Sequence, residues 1–173
     1  MFYTEIKGQP KKNKEKHDDY ETPEKAWDSI LHLLPKDKII YEPFYLTGNS
    51  GRYLKSKGLN IIHESVDFYT NEFKYDMILS NPPYGDCKSL FKKLKEIDKP
   101  FMLLLPSMKV HTQYISRFFK DEKLQIAIPR KRIHFIKYVD GFPVEGWVNG
   151  TSFDCVWFCY KMNLPRDILF LER

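Results

Sequence analysis

The chain has 173 residues, 42% hydrophobic, 16% aromatic and 29% charged. This balance excludes an intrinsically disordered polymer and predicts one sizeable core rather than two independent domains. No stretch approaches the ~18 consecutive apolar residues of a membrane span, and the opening MFYTEIKGQPKKNKEK lacks the apolar region and cleavage site of a secretory signal, so an intracellular protein is expected. The net charge of +5 permits a phosphate-backbone partner without requiring one.

Residues 1–18 are polar, Lys-rich and aperiodic, and read as a flexible basic arm before a single domain over 19–173. In YETPEKAWDSILHLL, Thr22 suits an N-cap and Pro23 the first helical position. Ala26, Trp27, Ile30, Leu31 and Leu34 share one helical face until Pro35 stops the helix. DKIIYEPF gives a strand ending at Glu42-Pro43. YLTGNSGRYLKSKG then gives a turn and a short helix that Gly58 can terminate. LNIIHE predicts a second strand, VDFYTNEF a connection, and YDMILS a third strand, continuously apolar as inside a parallel sheet.

CKSLFKKLKEID has helical spacing at Leu90, Phe91, Leu94 and Ile97. KPFMLLLPS predicts a fourth strand, QYISRFFKDE a helix, KLQIAIPRKRIHFI a strand running into a basic turn, and TSFDCVWFCYKM a strand near the C-terminus. KYVDGFPVEGWVNG, with three glycines and a proline, reads as a surface loop. This alternation predicts an open α/β sheet. The three cysteines, Cys87, Cys155 and Cys159, form no CxxC pair, and Cys155 and Cys159 fall on one strand face, predicted to be core. His63, His111 and His134 are isolated and suggest no metal site.

In an open α/β sheet, ligands sit outside the carboxyl ends of the strands, which is where the stretch DMILSNPPYG turns from apolar to Asn-Pro-Pro-Tyr. An exocyclic base amine can attack an electrophile only if its lone pair is drawn out of the ring. The Asn81 amide oxygen and the Pro82 carbonyl can accept its two hydrogens. Pro82 and Pro83 stiffen the loop, and Tyr84 can stack on the base, a contact worth roughly 1–3 kcal/mol elsewhere. The plain alternative is an Asn-initiated proline turn made for backbone reasons.

NPPY resembles the (D/N/S)-P-P-(Y/F/W) signature of amino-methyltransferases that use S-adenosylmethionine. The layout is similar to that of small phage and virus N6-adenine DNA methyltransferases: YETPEKAW before the first strand, FMLLLPS after the motif, and RIHF followed by a Gly-rich loop and TSFDCVWF. The resemblance spans about residues 19–162, and only NPPY is specific by itself. It implies a Rossmann-like class I methyltransferase fold, a mostly parallel open sheet with helices on both faces and an antiparallel last strand. It also implies S-adenosylmethionine as cofactor and Asn81, Pro82, Pro83 and Tyr84 as catalytic residues.

The family's cofactor motif, DPFxGxG, reads EPFYLTGNSG here, with Glu42, Pro43 and Phe44 matching and the glycines displaced to Gly48 and Gly51. Tyr45-Leu46 could fill part of the cofactor pocket. Glu64, after the second strand, stands where an acid hydrogen-bonds ribose hydroxyls in dinucleotide folds. By resemblance, Asp67-Phe68 would lie beside the cofactor adenine, and Tyr20 and Thr22 along its methionine end.

Base flipping would be needed on duplex substrate. Arg130, Lys131 and Arg132, with Lys88, Lys92 and Lys93, could track phosphates, and Trp147 could touch substrate from the Gly-rich loop. The expected activity is methyl transfer to a nucleobase amine, foremost N6 of adenine, with DNA ahead of RNA and no membrane partner. Related NPPY enzymes also act on N4 of cytosine, N2 of guanine in RNA, or protein glutamine, and a cofactor-free subunit or nucleic-acid-binding module is the competing class. No segment is long enough for a separate target-recognition domain, so specificity is expected to be short, absent or supplied by a partner chain.

Overall fold

A computed structural model describes residues 20–139, 142–145 and 151–172. The basic arm over 1–18 and Trp147 lie outside the described residues. In chain order the elements are β1 (Tyr20–Glu21), α1 (Glu24–Asp28), β2 (Ile39–Tyr41), α2 (Asn49–Ser56), β3 (Asn60–Ile62), β4 (Met77–Ser80), α3 (Cys87–Ile97), β5 (Phe101–Pro106), α4 (Gln113–Phe118), β6 (Leu124–Ile128), β7 (Ile136–Val139), β8 (Phe142–Pro143), β9 (Cys155–Tyr160) and β10 (Ile168–Phe170).

Seven strands form the main sheet in the order β10-β6-β9-β5-β4-β2-β3. All neighbours are parallel except β9, which runs antiparallel between β5 and β6. Every residue of MILS in β4 and FMLLLP in β5 is buried, as expected of strands covered on both faces. The chain leaves β2 through α2 to reach β3 on one side, and leaves β4 through α3 to reach β5 on the other. Right-handed crossovers in opposite directions put α2 and α3 on opposite faces and open a crevice at the carboxyl ends of β2 and β4. Cys155 and Cys159 point into the core, where burial pushes both thiols up to about 12.

Three expectations need correction. The helix predicted from Thr22 to Leu34 stops at Asp28, and Leu31–Leu33 is a separate 3-10 turn. The Ser29 hydroxyl bonds back to the Ala26 carbonyl at 2.6 Å, a local bond that competes with helix continuation. Thr22 is not the N-cap: Pro23 takes that position, no side chain caps the helix, and Thr22 is buried instead. Part of the predicted surface loop is ordered as β7 and β8, which with β1 make a small antiparallel sheet, β1-β7-β8.

Strand β10 has no counterpart in the sequence reading. It is held beside β6 by Gln125, which is 3% exposed. Gln125 Nε2 donates to the carbonyls of Leu164 (3.0 Å) and Arg166 (3.3 Å), and its Oε1 accepts from Leu164 N (2.8 Å). A Gln125→Leu substitution strands these buried groups. It is expected to cost about 1–3 kcal/mol in urea denaturation and to speed proteolysis at the C-terminal end, and unchanged stability would contradict this assignment.

Candidate active site

The crevice is built on one buried carboxylate. Glu42, at the end of β2 and 2% exposed, accepts from Ser80 Oγ of β4 (2.7 Å), Ser50 Oγ of α2 (3.0 Å) and its own loop at Phe44 N (3.3 Å). His63, just past β3, closes the set with Nδ1 2.5 Å from Glu42 Oε2 and 2.8 Å from the Glu42 carbonyl. Burial alone would lower the His63 pKa, but the hydrogen bond and charge of Glu42 outweigh it and the net shift is upward from 6.5. The sequence reading treated His63 as isolated. The signal that could have found it was a histidine at a strand end opposite an acid at the neighbouring strand end.

Gly51 lets α2 close over this pair, since a Cβ there would stand 2.5 Å from His63 Cγ. Gly48 starts α2 with φ +74, the left-handed conformation that glycine supplies without strain. Matched residue for residue, Gly48 occupies the second glycine of DPFxGxG and is not displaced. Leu46 stands at the first glycine and takes φ +43, so the turn keeps a left-handed shape at a cost of order 1–2 kcal/mol. Tyr45 stacks on His63, with ring centroids 4.8 Å apart and planes 23° apart.

A cavity of about 450 Å³ opens over these loops, within the range of small-molecule and cofactor sites. Of the residues expected to bind cofactor, Tyr20, Thr22, Glu42, Pro43, Phe44, Asp67 and Phe68 line it. Phe44 and Phe68 form an aromatic pair at 5.6 Å. Gly48 and Glu64 do not line it: Gly48 shapes the turn behind the wall, and Glu64 is exposed outside it. Two polar atoms in buried wall side chains, Thr22 Oγ1 and Trp27 Nε1, have no hydrogen-bond partner among the described residues. Trp27, read from sequence only as part of an apolar helical face, therefore belongs to this wall as well.

Asn81 and Pro83 line the same cavity from the end of β4. Asn81 Nδ2 donates to the Tyr20 carbonyl at 3.1 Å, so strand β1 fixes the amide, and β7 in turn holds β1 through the Tyr20–Lys137 pairing. Asn81 Oδ1 accepts the Tyr84 hydroxyl at 2.6 Å. The expected exposed stacking ring is thus absent in this conformation: Tyr84 is 9% exposed, packed edge-on against Phe153 at 5.5 Å, with its hydroxyl turned inward. Lys109, on the 3-10 turn Ser107–His111 after β5, donates to the Tyr84 carbonyl at 3.2 Å. Neither Phe153 nor Lys109 was singled out from sequence.

The basic residues separate into two groups. Lys88 and Lys92 are exposed on the first turns of α3, which begins directly after the Asn81 loop, and Lys131 is exposed in the turn after β6. Arg132, predicted to meet phosphate, is instead engaged within the protein. It bonds the carbonyls of Thr151 and Phe153 and pairs with Asp154 at 3.1 Å, and so positions the segment behind Tyr84. Arg130 donates to the Glu172 carbonyl at 3.4 Å.

Neither a family profile nor a curated protein sequence matches the chain. Among solved structures, a provisionally assigned RNA methyltransferase from Pyrococcus horikoshii is similar at TM-score 0.50 and 12% identity, covering 87% of this chain and 88% of its own. A precorrin-6y C5,15-methyltransferase from Geobacter metallireducens aligns at TM-score 0.44 and 11% identity, over 84% of this chain and 97% of its own. The first likeness, with the sheet order above, establishes the Rossmann-like class I methyltransferase fold.

The Glu42–His63 pair gives a pH test. Because the folded pKa of His63 is the higher one, the pair's contribution to stability is complete below pH 6.5 and is lost as pH rises through the raised value. Urea midpoints of the wild type are expected to fall as pH rises above 6.5, and His63→Gln should lack that fall. An equal fall in the variant would show that another group is responsible.

Proposed function

We propose that the protein transfers a methyl group from S-adenosylmethionine to the exocyclic amine of a nucleobase, foremost N6 of adenine in DNA. The observation that carries this reading is the Asn81 amide. It sits on the wall of a cofactor-sized cavity at the topological switch point, with its nitrogen pinned by the Tyr20 carbonyl and its oxygen turned to a hydroxyl that a substrate N–H can replace.

The cavity suits the cofactor. Its volume is sufficient, Phe44 and Phe68 offer apolar faces for an adenine ring, and Thr22 Oγ1 and Trp27 Nε1 are buried polar atoms without a partner among the described residues. S-adenosylmethionine bound there supplies an electrophilic methyl group. Asn81 Oδ1 and the Pro82 carbonyl would accept the two amine hydrogens, localising the nitrogen lone pair and holding it in line. Both acceptors strengthen their hold as positive charge grows on the nitrogen, which lowers the barrier rather than only tightening binding. The exposed cations Lys88, Lys92 and Lys131 would meet the phosphates of the strand from which the base is extruded.

Tyr84 then has two positions. Without substrate its hydroxyl satisfies Asn81. With a base amine in that place, the ring is released to stack. Tyr84→Phe is expected to retain binding and transfer, since the ring remains and the competing hydroxyl is gone. Tyr84→Ala should weaken nucleic-acid binding by about 1–3 kcal/mol in a fluorescence titration. Equal losses in both variants would show that the hydroxyl, not the ring, carries the role.

The reaction is tested by nucleoside mass spectrometry of mixed DNA and RNA after incubation with deuterated-methyl S-adenosylmethionine. Labelled N6-methyladenine in the DNA digest is expected. Label in RNA alone would move the substrate to that polymer, and no label in any nucleoside would contradict the reading. The competing reading, a cofactor-free subunit, draws on Leu46 at the glycine position of the cofactor turn.

A further inference from the structure

The small sheet β1-β7-β8 does more than hold Asn81. Opposite residues of an antiparallel ladder share a face, and residues two apart along a strand return to it. The register pairs Tyr20 with Lys137 and Val139 with Phe142, and Val144 N donates to the Lys137 carbonyl at 2.8 Å. Tyr20, Lys137, Val139, Phe142 and Val144 therefore stand on one face. At its β1 end this face joins the candidate active site. The Tyr20 carbonyl holds Asn81 Nδ2 at 3.1 Å, and the Tyr20 ring meets Phe153, 6.5 Å away, against which Tyr84 packs at 5.5 Å. At its β8 end the face is open: Phe142 is 75% exposed, the most exposed large apolar side chain among the described residues, and Val144 is 37% exposed.

Given the proposed methyl transfer to a nucleobase, on which this inference rests, we infer that the β7-β8 hairpin is a second contact for the substrate strand. Phe142 stacks on the base next to the one held at Asn81, and Lys137 meets the phosphate between them. Neighbouring strands lie about 4.8 Å apart, so β8 stands roughly 10 Å across from β1, in reach of the adjoining nucleotide. A ring beside a cation is how nucleic-acid strands are held without regard to sequence. Exposed Lys131, on the segment that leads into β7, extends the positive charge along the same approach. One ring and one valine are too small a patch for a stable protein interface, which buries on the order of 800 Å² per partner. Phe170 is almost as bare at 71%, but it lies on β10, with β6, β9 and β5 between it and the strand that leads to Asn81. It serves as the internal control.

Fluorescence anisotropy of the full-length protein with fluorescein-labelled DNA of mixed sequence, single-stranded and duplex, tests this without turnover. Phe142→Ala is expected to weaken binding about tenfold, the scale of one lost base–aromatic stack, while Phe142→Trp keeps the wild-type affinity. Phe142→Ala should leave the slope of log affinity against log salt unchanged, whereas Lys137→Gln should lower it by about one. Phe170→Ala should change neither. Wild-type affinity in Phe142→Ala, or equal losses in Phe142→Ala and Phe170→Ala, overturns the contact and leaves the methyl-transfer reading intact. A dimer in sedimentation velocity that Phe142→Ala dissolves, with DNA affinity unchanged, overturns it in favour of self-association through this face. Absence of DNA binding by the wild type also overturns it, and the methyl-transfer reading falls with it only if no nucleoside is labelled.

Discussion

The buried Glu42 carboxylate is the constraint on which the site depends. A carboxylate 2% exposed must find hydrogen-bond and charge partners inside the protein, because it has given up those that water would supply. The groups that satisfy it come from four different places: Ser80 on β4, Ser50 on α2, His63 beyond β3, and the backbone of the turn it begins. Meeting that demand brings the carboxyl ends of three strands and the start of a helix into one register. Ser80 directly precedes Asn81, so the same carboxylate that shapes the cofactor side fixes where the Asn81 loop leaves the sheet. Gly51 follows from it too, because only a residue without a side chain lets α2 approach His63 this closely.

A second restraint acts on the Asn81 loop from outside the main sheet. Strand β1 has only two residues, yet its Tyr20 carbonyl orients the Asn81 amide, and β1 is itself held by β7. The segment behind Tyr84 is held by Arg132, and the loop's far side by Lys109. Chain segments far apart in sequence therefore converge on four residues. An amide held in this way keeps one orientation, which is what electrostatic preorganisation requires.

What the sequence discloses and what it hides divide along physical lines. β2, β4, β5 and β9 announce themselves as apolar runs because both faces of the sheet are covered there, and α3 through its spacing at Leu90, Phe91 and Leu94. NPPY is legible because prolines after a buried strand leave few backbone choices. The small β1-β7-β8 sheet is hidden because strands of two to four residues carry too little period to read, and β10 because its anchor, Gln125, is a polar residue in the otherwise apolar neighbouring strand β6. The cofactor turn was half legible: Glu42, Pro43 and Phe44 read directly, whereas Leu46 disguised a left-handed position that residue type alone does not reveal. Arg132 and Tyr84 show the converse limit. A basic cluster and an aromatic ring declare a chemistry in sequence, and only tertiary contacts tell that Arg132 is tied to the protein's own backbone and Asp154 and that Tyr84 is turned inward.

The central claim is that Asn81 acts on the substrate amine and not on the cofactor or the fold. Comparing Asn81→Ala with the wild type, by methyl transfer on one side and calorimetric titration of S-adenosylmethionine on the other, separates these roles. Transfer is expected to be abolished while cofactor affinity stays nearly unchanged. Parallel loss of transfer and cofactor affinity would contradict it and make Asn81 a structural part of the cavity wall.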